Sequence, residues 1–239
     1  MPKWLVRLKG ERFDLEDFPK LFCSPEVRII EENDSFYLES SEFNFLTEAE
    51  DVRERGRILI KLINGVAKYN RSNFQGISDD VIILEKDDGK RKNYIFLGGK
   101  AIIRTKVRGK LTVLHHDGLE KSKIQTSTSD FEYLLKKAQK YKVVADALNF
   151  YKDDTWINFY KVYEIIGDDL NGKHKIIENN WATNSNVSRF TQTAQSRAIL
   201  GDSARHASKK YIPPVKPMTI VEAKILIKSI LSKWISSKT

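Results

Sequence analysis

The chain has 239 residues, of which 41% are hydrophobic, and its 41 basic and 32 acidic side chains give a formal charge of +9. This apolar content is enough to bury a core, which excludes wholesale disorder. The single cysteine, Cys23, excludes an internal disulfide and a zinc site made of cysteines alone, and we expect it to be a small buried residue. No stretch approaches the roughly 18 apolar residues of a membrane span, and no apolar signal region opens the chain, so we expect a soluble cytoplasmic protein.

The positive charge is concentrated in the C-terminal half. Residues 1–120 hold 21 basic and 21 acidic side chains, whereas residues 121–239 hold 20 and 11, so the whole excess lies in the second half. A basic surface attracts polyanions, of which nucleic acid is the commonest. The distribution therefore favours nucleic acid as a partner of the C-terminal half, and a solubilising lysine-rich surface is the alternative.

Apolar patterns of period two and period 3.6 alternate in the N-terminal half. The first part predicts a strand at 4–9, a short helix at 14–22, and strands at 27–30 and 36–38. A longer helix follows, opened by a capping box of Thr47 and Glu50 and weakened in its last turn by Gly65. Its apolar face consists of Val52, Leu59, Ile63 and Val66. The period then returns to two over four strands, at 81–84, 94–97, 101–107 and 111–114.

This order of elements predicts an α+β domain over residues 1–117. It fits a mixed or antiparallel sheet with two helices, in which a ferredoxin-like start is extended by a β-meander. Residues 118–129 are polar and are predicted to be a linker. His115 and His116 are neighbours that would point to opposite faces of a strand, so we expect no metal site there.

Residues 130–239 predict an all-α bundle. Apolar stripes at helical spacing run through 131–151, from Asp154 or Thr155 to 166, and through shorter helices around 176–181 and 183–194. The last helix opens with a capping box of Thr219 and Glu222.

A long basic connection precedes that last helix. The cations in it or just before it are Arg189, Arg197, Arg205, His206, Lys209, Lys210 and Lys216, against a single acidic residue, Asp202. Three prolines, at 213, 214 and 217, favour an extended backbone at its end. Connections of this length in small bundles are more often functional than short ones.

Four phrases of this half resemble a helical module found in uncharacterised bacterial proteins. They are Trp156-Ile-Asn-Phe-Tyr-Lys-Val-Tyr-Glu-Ile-Ile-Gly-Asp-Asp169, Trp181-Ala-Thr, Arg189-Phe-Thr-Gln-Thr-Ala194 and Gly201-Asp-Ser-Ala-Arg-His206. That module in turn resembles the HEPN superfamily of helical domains. The resemblance covers about residues 130–237.

The resemblance implies metal-independent RNase chemistry, or RNA binding, without a cofactor. In that superfamily an Arg and a His a few residues apart act together, usually across a dimer. A His that titrates near neutral pH can move the proton of a 2′-OH, and a fixed Arg can stabilise the phosphorane. His206 is then the acid or base, Arg205 or Arg197 the cation, and Asp202 an orienting group. Because eight residues separate Arg197 from His206, binding without cleavage is the alternative.

We therefore expect a bacterial protein that binds or cleaves RNA, rather than DNA, in a defence, toxin–antitoxin or stress setting. Nucleic-acid contacts would come from Arg189, Lys209, Lys210 and Lys216. The resemblance also implies a homodimer formed through the bundle. The alternative is a non-catalytic interaction module, in which the N-terminal sheet docks a protein partner and Asp202 pairs with Arg205 to hold a structural Asp-Arg-His loop.

Overall fold

A computed structural model describes residues 3–96, 128–206 and 211–239 of the chain. Within them the protein is α+β, with an antiparallel sheet in the N-terminal half and helices in the C-terminal half. The predicted strands at 101–107 and 111–114, the histidine pair, and the linker up to residue 127 lie outside the described residues. No described helix is long and apolar enough to cross a membrane.

Six strands of the described residues form one sheet in the order β2-β3-β4-β1-β5-β6, and every neighbouring pair is antiparallel. The strands are β1 (Lys3–Lys9), β2 (Cys23–Ser24), β3 (Val27–Glu32), β4 (Ser35–Glu39), β5 (Ser78–Glu85) and β6 (Arg91–Tyr94). Two short helices, α1 (Arg12–Leu15) and α2 (Phe18–Leu21), connect β1 to β2, and α3 (Ala49–Asn70) leads towards β5. With β1 between β4 and β5, the central four strands have the split βαβ order of the predicted ferredoxin-like start.

The long helix α3 begins later than the capping box predicts. Its N-cap is Glu48, whose side chain makes no capping hydrogen bond, so the prediction that Thr47 caps the helix is wrong. Glu50 instead forms an ion pair with Arg53. The predicted apolar face is correct, because Val52, Leu59, Ile63 and Val66 are all fully buried.

Seven helices follow in the described C-terminal residues. They are α4 (Thr128–Lys140), α5 (Lys142–Tyr151), α6 (Trp156–Asp169), α7 (Lys175–Glu178), α8 (Asn184–Gln195), α9 (Arg197–Leu200) and α10 (Ile220–Ser237). The predicted capping box of Thr219 and Glu222 is confirmed, and of the two expected openings of α6 it is Thr155, not Asp154, that accepts a backbone N–H. Thr183 also accepts a backbone N–H at the start of α8, a cap that was not predicted. These side-chain bonds satisfy backbone donors that a helix start otherwise leaves unpaired.

Helix α3 is buried on two opposite sides, between the sheet and the C-terminal helices. At Gly56 it crosses β1 so closely that a Cβ atom would lie 2.9 Å from a methyl group of Val6. At Gly65 it crosses α5, where a Cβ atom would lie 3.1 Å from Cβ of Leu148 and 3.3 Å from its carbonyl carbon. Nine residues at about 100° each amount to two and a half turns, so the two glycines lie on opposite faces of the helix. One hydrophobic cluster accordingly extends from Trp4 to Ile235.

Cys23 is exposed, and the expectation that it is buried is wrong. It lies on the two-residue edge strand β2, and its thiol donates a hydrogen bond to Oε1 of Glu132 on α4 at 3.3 Å. That carboxylate is the main reason why the pKa of the thiol is raised. Cys23 thus contributes to the contact between the sheet edge and α4.

The close approach at Gly65 predicts that Gly65→Val destabilises the protein. A branched side chain there would meet the backbone of α5, and overpacking of this kind costs about 1–3 kcal/mol of the free energy of unfolding. Lys61→Val, on an exposed turn of the same helix, is the matched control and should change that free energy by no more than about 0.5 kcal/mol. Chemical denaturation measures both, and equal losses would contradict the close packing of α3 on α5.

Candidate functional site

The Gly201–His206 phrase lies beside the C-terminal end of α8. Gly201 has a φ of +56°, a conformation that glycine adopts without strain, and it reverses the chain after α9. The backbone N–H of Arg205 then donates to the carbonyl oxygen of Ala194 at 2.8 Å. This bond holds Arg205 at the end of α8, from where its side chain reaches Glu164 and Tyr160 of α6.

The guanidinium of Arg205 is held by two groups of α6. Its Nη2 donates to Oε1 of Glu164 at 2.6 Å, and its Cζ lies 4.2 Å from the centre of the Tyr160 ring. Tyr160 and Glu164 are four residues apart and therefore share one face of the helix. Both the ion pair and the cation–π contact restrict the arginine to one place, about 30% exposed.

Lys173 and Gln195 complete the surroundings of that face. The ammonium of Lys173 lies 3.4 Å from the same Oε1 of Glu164, and Nε2 of Gln195 donates to the hydroxyl of Tyr160 at 2.8 Å. Burial raises the pKa of neighbouring Tyr163 to about 12, so its phenol is neutral at physiological pH. Two cations and one carboxylate leave this group with a net positive charge.

His206 contacts Arg205 and a tyrosine from the far side of the basic connection. Nη1 of Arg205 lies 3.0 Å from Nε2 of His206, and the imidazole stacks on the ring of Tyr211 with centroids 4.8 Å apart and planes 13° from parallel. Because arginine can only donate, this contact is a hydrogen bond in the ring tautomer whose Nε2 accepts and whose Nδ1 carries the proton. We call Arg205, His206, Glu164, Lys173, Tyr160 and Tyr211 the Arg205 cluster.

Arg189 holds the end of the basic connection. Its guanidinium donates to both carboxylate oxygens of Glu222 at 2.8 and 2.9 Å, and to the carbonyl oxygens of Lys216 and Pro217 at 2.8 and 3.1 Å. These four bonds attach the segment before α10 to α8. They also use much of the donor capacity that the predicted nucleic-acid contact at Arg189 would need.

Asp202 and Arg197 form a pair with each other. Nη2 of Arg197 lies 3.3 Å from Oδ1 of Asp202, whose side chain is almost fully exposed. The carboxylate that pairs with Arg205 is Glu164, so the alternative in which Asp202 pairs with Arg205 is wrong. The structure thus brings His206 and Arg205 together, and it places Arg197 and Asp202 in a separate pair.

Of the three lysines predicted to contact nucleic acid, the structure describes Lys216. The side chain of Lys216 is exposed, and its carbonyl oxygen accepts from Arg189. Lys209 and Lys210 lie outside the described residues. Among the described residues, no group of three or more histidine, cysteine, aspartate or glutamate side chains could hold a metal ion.

Sequence reasoning missed Glu164, Lys173 and Tyr211 as members of the site. Glu164 lies 41 residues before Arg205, and only the packing of α6 beside α8 brings them together. The one available signal was the spacing of Tyr160 and Glu164 on a helix, which predicts a shared face but not its partner.

The chain matches no protein-family model, no curated protein and no solved structure. The likeness to HEPN domains therefore remains an expectation that rests on the four quoted phrases.

The contacts of Glu222 predict a pH-dependent stability. The backbone N–H of Thr219, and after it the guanidinium of Arg189, lower the pKa of Glu222 from 4.5 to about 2. A carboxylate with a lowered folded-state pKa stabilises fully above its ordinary pKa, and this stabilisation is lost as pH falls through the folded value. The melting temperature of wild type should therefore exceed that of Glu222→Gln above pH 4.5, and the difference should shrink towards pH 2.

Glu54→Gln, an exposed position on α3, is the matched control for this comparison. Thermal unfolding followed by circular dichroism measures all three proteins. A difference between wild type and Glu222→Gln that stays constant from pH 4.5 to 2 would contradict the ionic role of Glu222.

Proposed function

We propose that this chain binds single-stranded RNA at the Arg205 cluster without cleaving it. The observation that carries the proposal is the fixed guanidinium of Arg205, which is held by Glu164 and Tyr160 with the ammonium of Lys173 beside it. A partly exposed cation that is already ordered loses little side-chain entropy when it contacts a phosphate. The positive charge of the C-terminal half adds long-range attraction for a polyanion.

Aromatic rings beside the cations favour a single strand over a duplex. The stacked rings of His206 and Tyr211 lie next to Arg205, and unpaired bases bind to such rings by stacking. The resemblance to HEPN domains favours RNA over DNA.

The contact between Arg205 and His206 argues against cleavage. A general base must present a free lone pair to the 2′-OH, and Nε2 of His206 already accepts from Arg205. The remaining Nδ1–H of His206 is a donor, which suits it to bind an RNA oxygen.

The binding test uses a fluorescein-labelled single-stranded RNA longer than the roughly 4–16 nucleotides that one small domain covers. Fluorescence anisotropy should show binding that weakens steeply between about 50 and 200 mM salt. Arg205→Gln should reduce the slope of log K against log salt by about 0.7, the share of one phosphate contact on a single strand. Arg205→Lys keeps the charge and should keep the slope.

Two matched controls separate this site from general charge loss. Arg12→Gln removes a different ion-paired arginine, and His174→Ala removes a different exposed histidine. Both should bind as wild type, whereas His206→Ala should weaken binding. Absence of binding at low salt, or equal effects of Arg205→Gln and Arg12→Gln, would contradict the proposal.

The absence of cleavage is tested separately. Wild-type protein and His206→Ala should both leave the labelled RNA intact on a denaturing gel after incubation in EDTA. Cleavage by wild type alone would contradict the non-catalytic part of the proposal and make His206 a catalytic residue.

A protein-interaction module is the second candidate function. The specific observation in its favour is the exposure of Ile212 and Val215, which are 83% and 108% exposed beside two prolines. Apolar side chains displayed on a proline-rich segment are typical of peptides that dock in aromatic grooves. Salt separates the candidates, because an apolar protein contact does not weaken steeply between about 50 and 200 mM.

A further inference from the structure

A groove of about 680 Å³ lies between the start of α8 and one face of α10. Its walls combine the indole of Trp181 and the aliphatic side chains of Ile225 and Leu226 with the polar side chains of Asn186, Ser229 and Lys233. This volume lies within the range of small-ligand sites. We call it the α8–α10 groove.

Trp181 is the tryptophan that is accessible to a ligand. Trp4, Trp156 and Trp234 are buried in the core, whereas Trp181 is partly exposed. The ammonium of Lys233 donates to the carbonyl oxygens of Asn180 and Trp181, both at 3.3 Å, which fixes the turn that carries the indole. An ordered, partly exposed ring of this kind can stack on a planar ligand with little loss of entropy.

The polar side chains of the groove suit the edge of a base. Among the residues that the structure describes, Asn186 and Ser229 make no side-chain hydrogen bond and are exposed, so both can bind a ligand. An amide offers a donor and an acceptor, the pair of groups that a nucleobase edge requires. Lys233 keeps a third N–H and its charge for a phosphate, whereas the charge of Arg189 is balanced by Glu222.

We infer that the α8–α10 groove binds a base of the same RNA strand, which stacks on Trp181 with its phosphate at Lys233. This inference rests on the proposed function and names a second contact region for it. Helix α8 joins the two regions, since Asn186 lines the groove and Ala194 bonds to Arg205. Eight residues of helix span about 12 Å. At 3.4 Å per stacked nucleotide, this corresponds to roughly three to four nucleotides.

The test follows the fluorescence of Trp181 and the affinity for two strands. The probes are a single-stranded RNA and an abasic strand of the same length, which carries the phosphates without bases. RNA should quench the intrinsic fluorescence of wild type, and this quenching should be absent in Trp181→Phe. Trp181→Ala should weaken RNA binding on the order of tenfold, the effect of one stacked base, and should leave binding of the abasic strand unchanged.

Two variants with small changes in side chain are expected to fold as wild type does. Trp181→Phe keeps an aromatic ring and should retain most of the RNA affinity, whereas Asn186→Ala changes an exposed side chain and should weaken RNA but not the abasic strand. Phe45→Ala, an exposed aromatic residue of the N-terminal half, is the matched control and should bind as wild type.

The outcomes distinguish this inference from the proposed function. RNA binding that depends on Arg205 but not on Trp181, without quenching, would overturn the groove and leave the proposed function standing. An equal loss of RNA and abasic binding in Trp181→Ala would also overturn it, because the groove would then not contact a base. Binding of neither strand to wild type would overturn the proposed function and the inference together.

Discussion

The structure depends on the burial of α3 from two sides. A helix that packs against a sheet on one face is commonly exposed on the other. Here Gly56 allows β1 to approach α3 closely on one face, and Gly65 allows α5 to approach it on the other. Each glycine costs about 1 kcal/mol in helix propensity relative to alanine. The close packing that they permit offsets this cost, because it lets one hydrophobic cluster run through both halves of the chain.

The same packing fixes the position of the candidate site relative to α3. Tyr69 of α3 contacts Tyr151 of α5, with ring centroids 5.7 Å apart, and Tyr151 contacts Phe159 of α6 at 5.9 Å. The face of α6 that carries Tyr160 and Glu164 is thereby set relative to α3. Arg205 then binds to a face whose position the core has already determined.

The cations of the basic connection differ in whether a carboxylate of the fold balances their charge. Arg189 attaches the last helix to α8 through Glu222, and Arg197 pairs with Asp202, so both charges serve the fold at least in part. Arg205 is paired as well, but it shares Glu164 with Lys173 and contacts His206, which leaves a positive and aromatic surface. Net charge in a sequence therefore overstates the charge that is free to attract a ligand.

The sequence by itself determined the elements that local physics controls. Apolar periodicity located β1, β3, β4, β5 and the buried face of α3, whereas β2 was missed and the strand expected at 94–97 lies at Arg91–Tyr94. The capping box at Thr219 followed from side chains that bond to their own backbone. The tertiary structure alone decided which carboxylate holds Arg205. Asp202 is three residues away and Glu164 forty-one, yet Glu164 forms the pair, because helix packing and not sequence distance brings side chains together. The sequence likewise predicts only that Gly65 weakens its helix. Leu148, whose close approach requires a glycine there, is 83 residues further along the chain, so only the tertiary structure shows what Gly65 does.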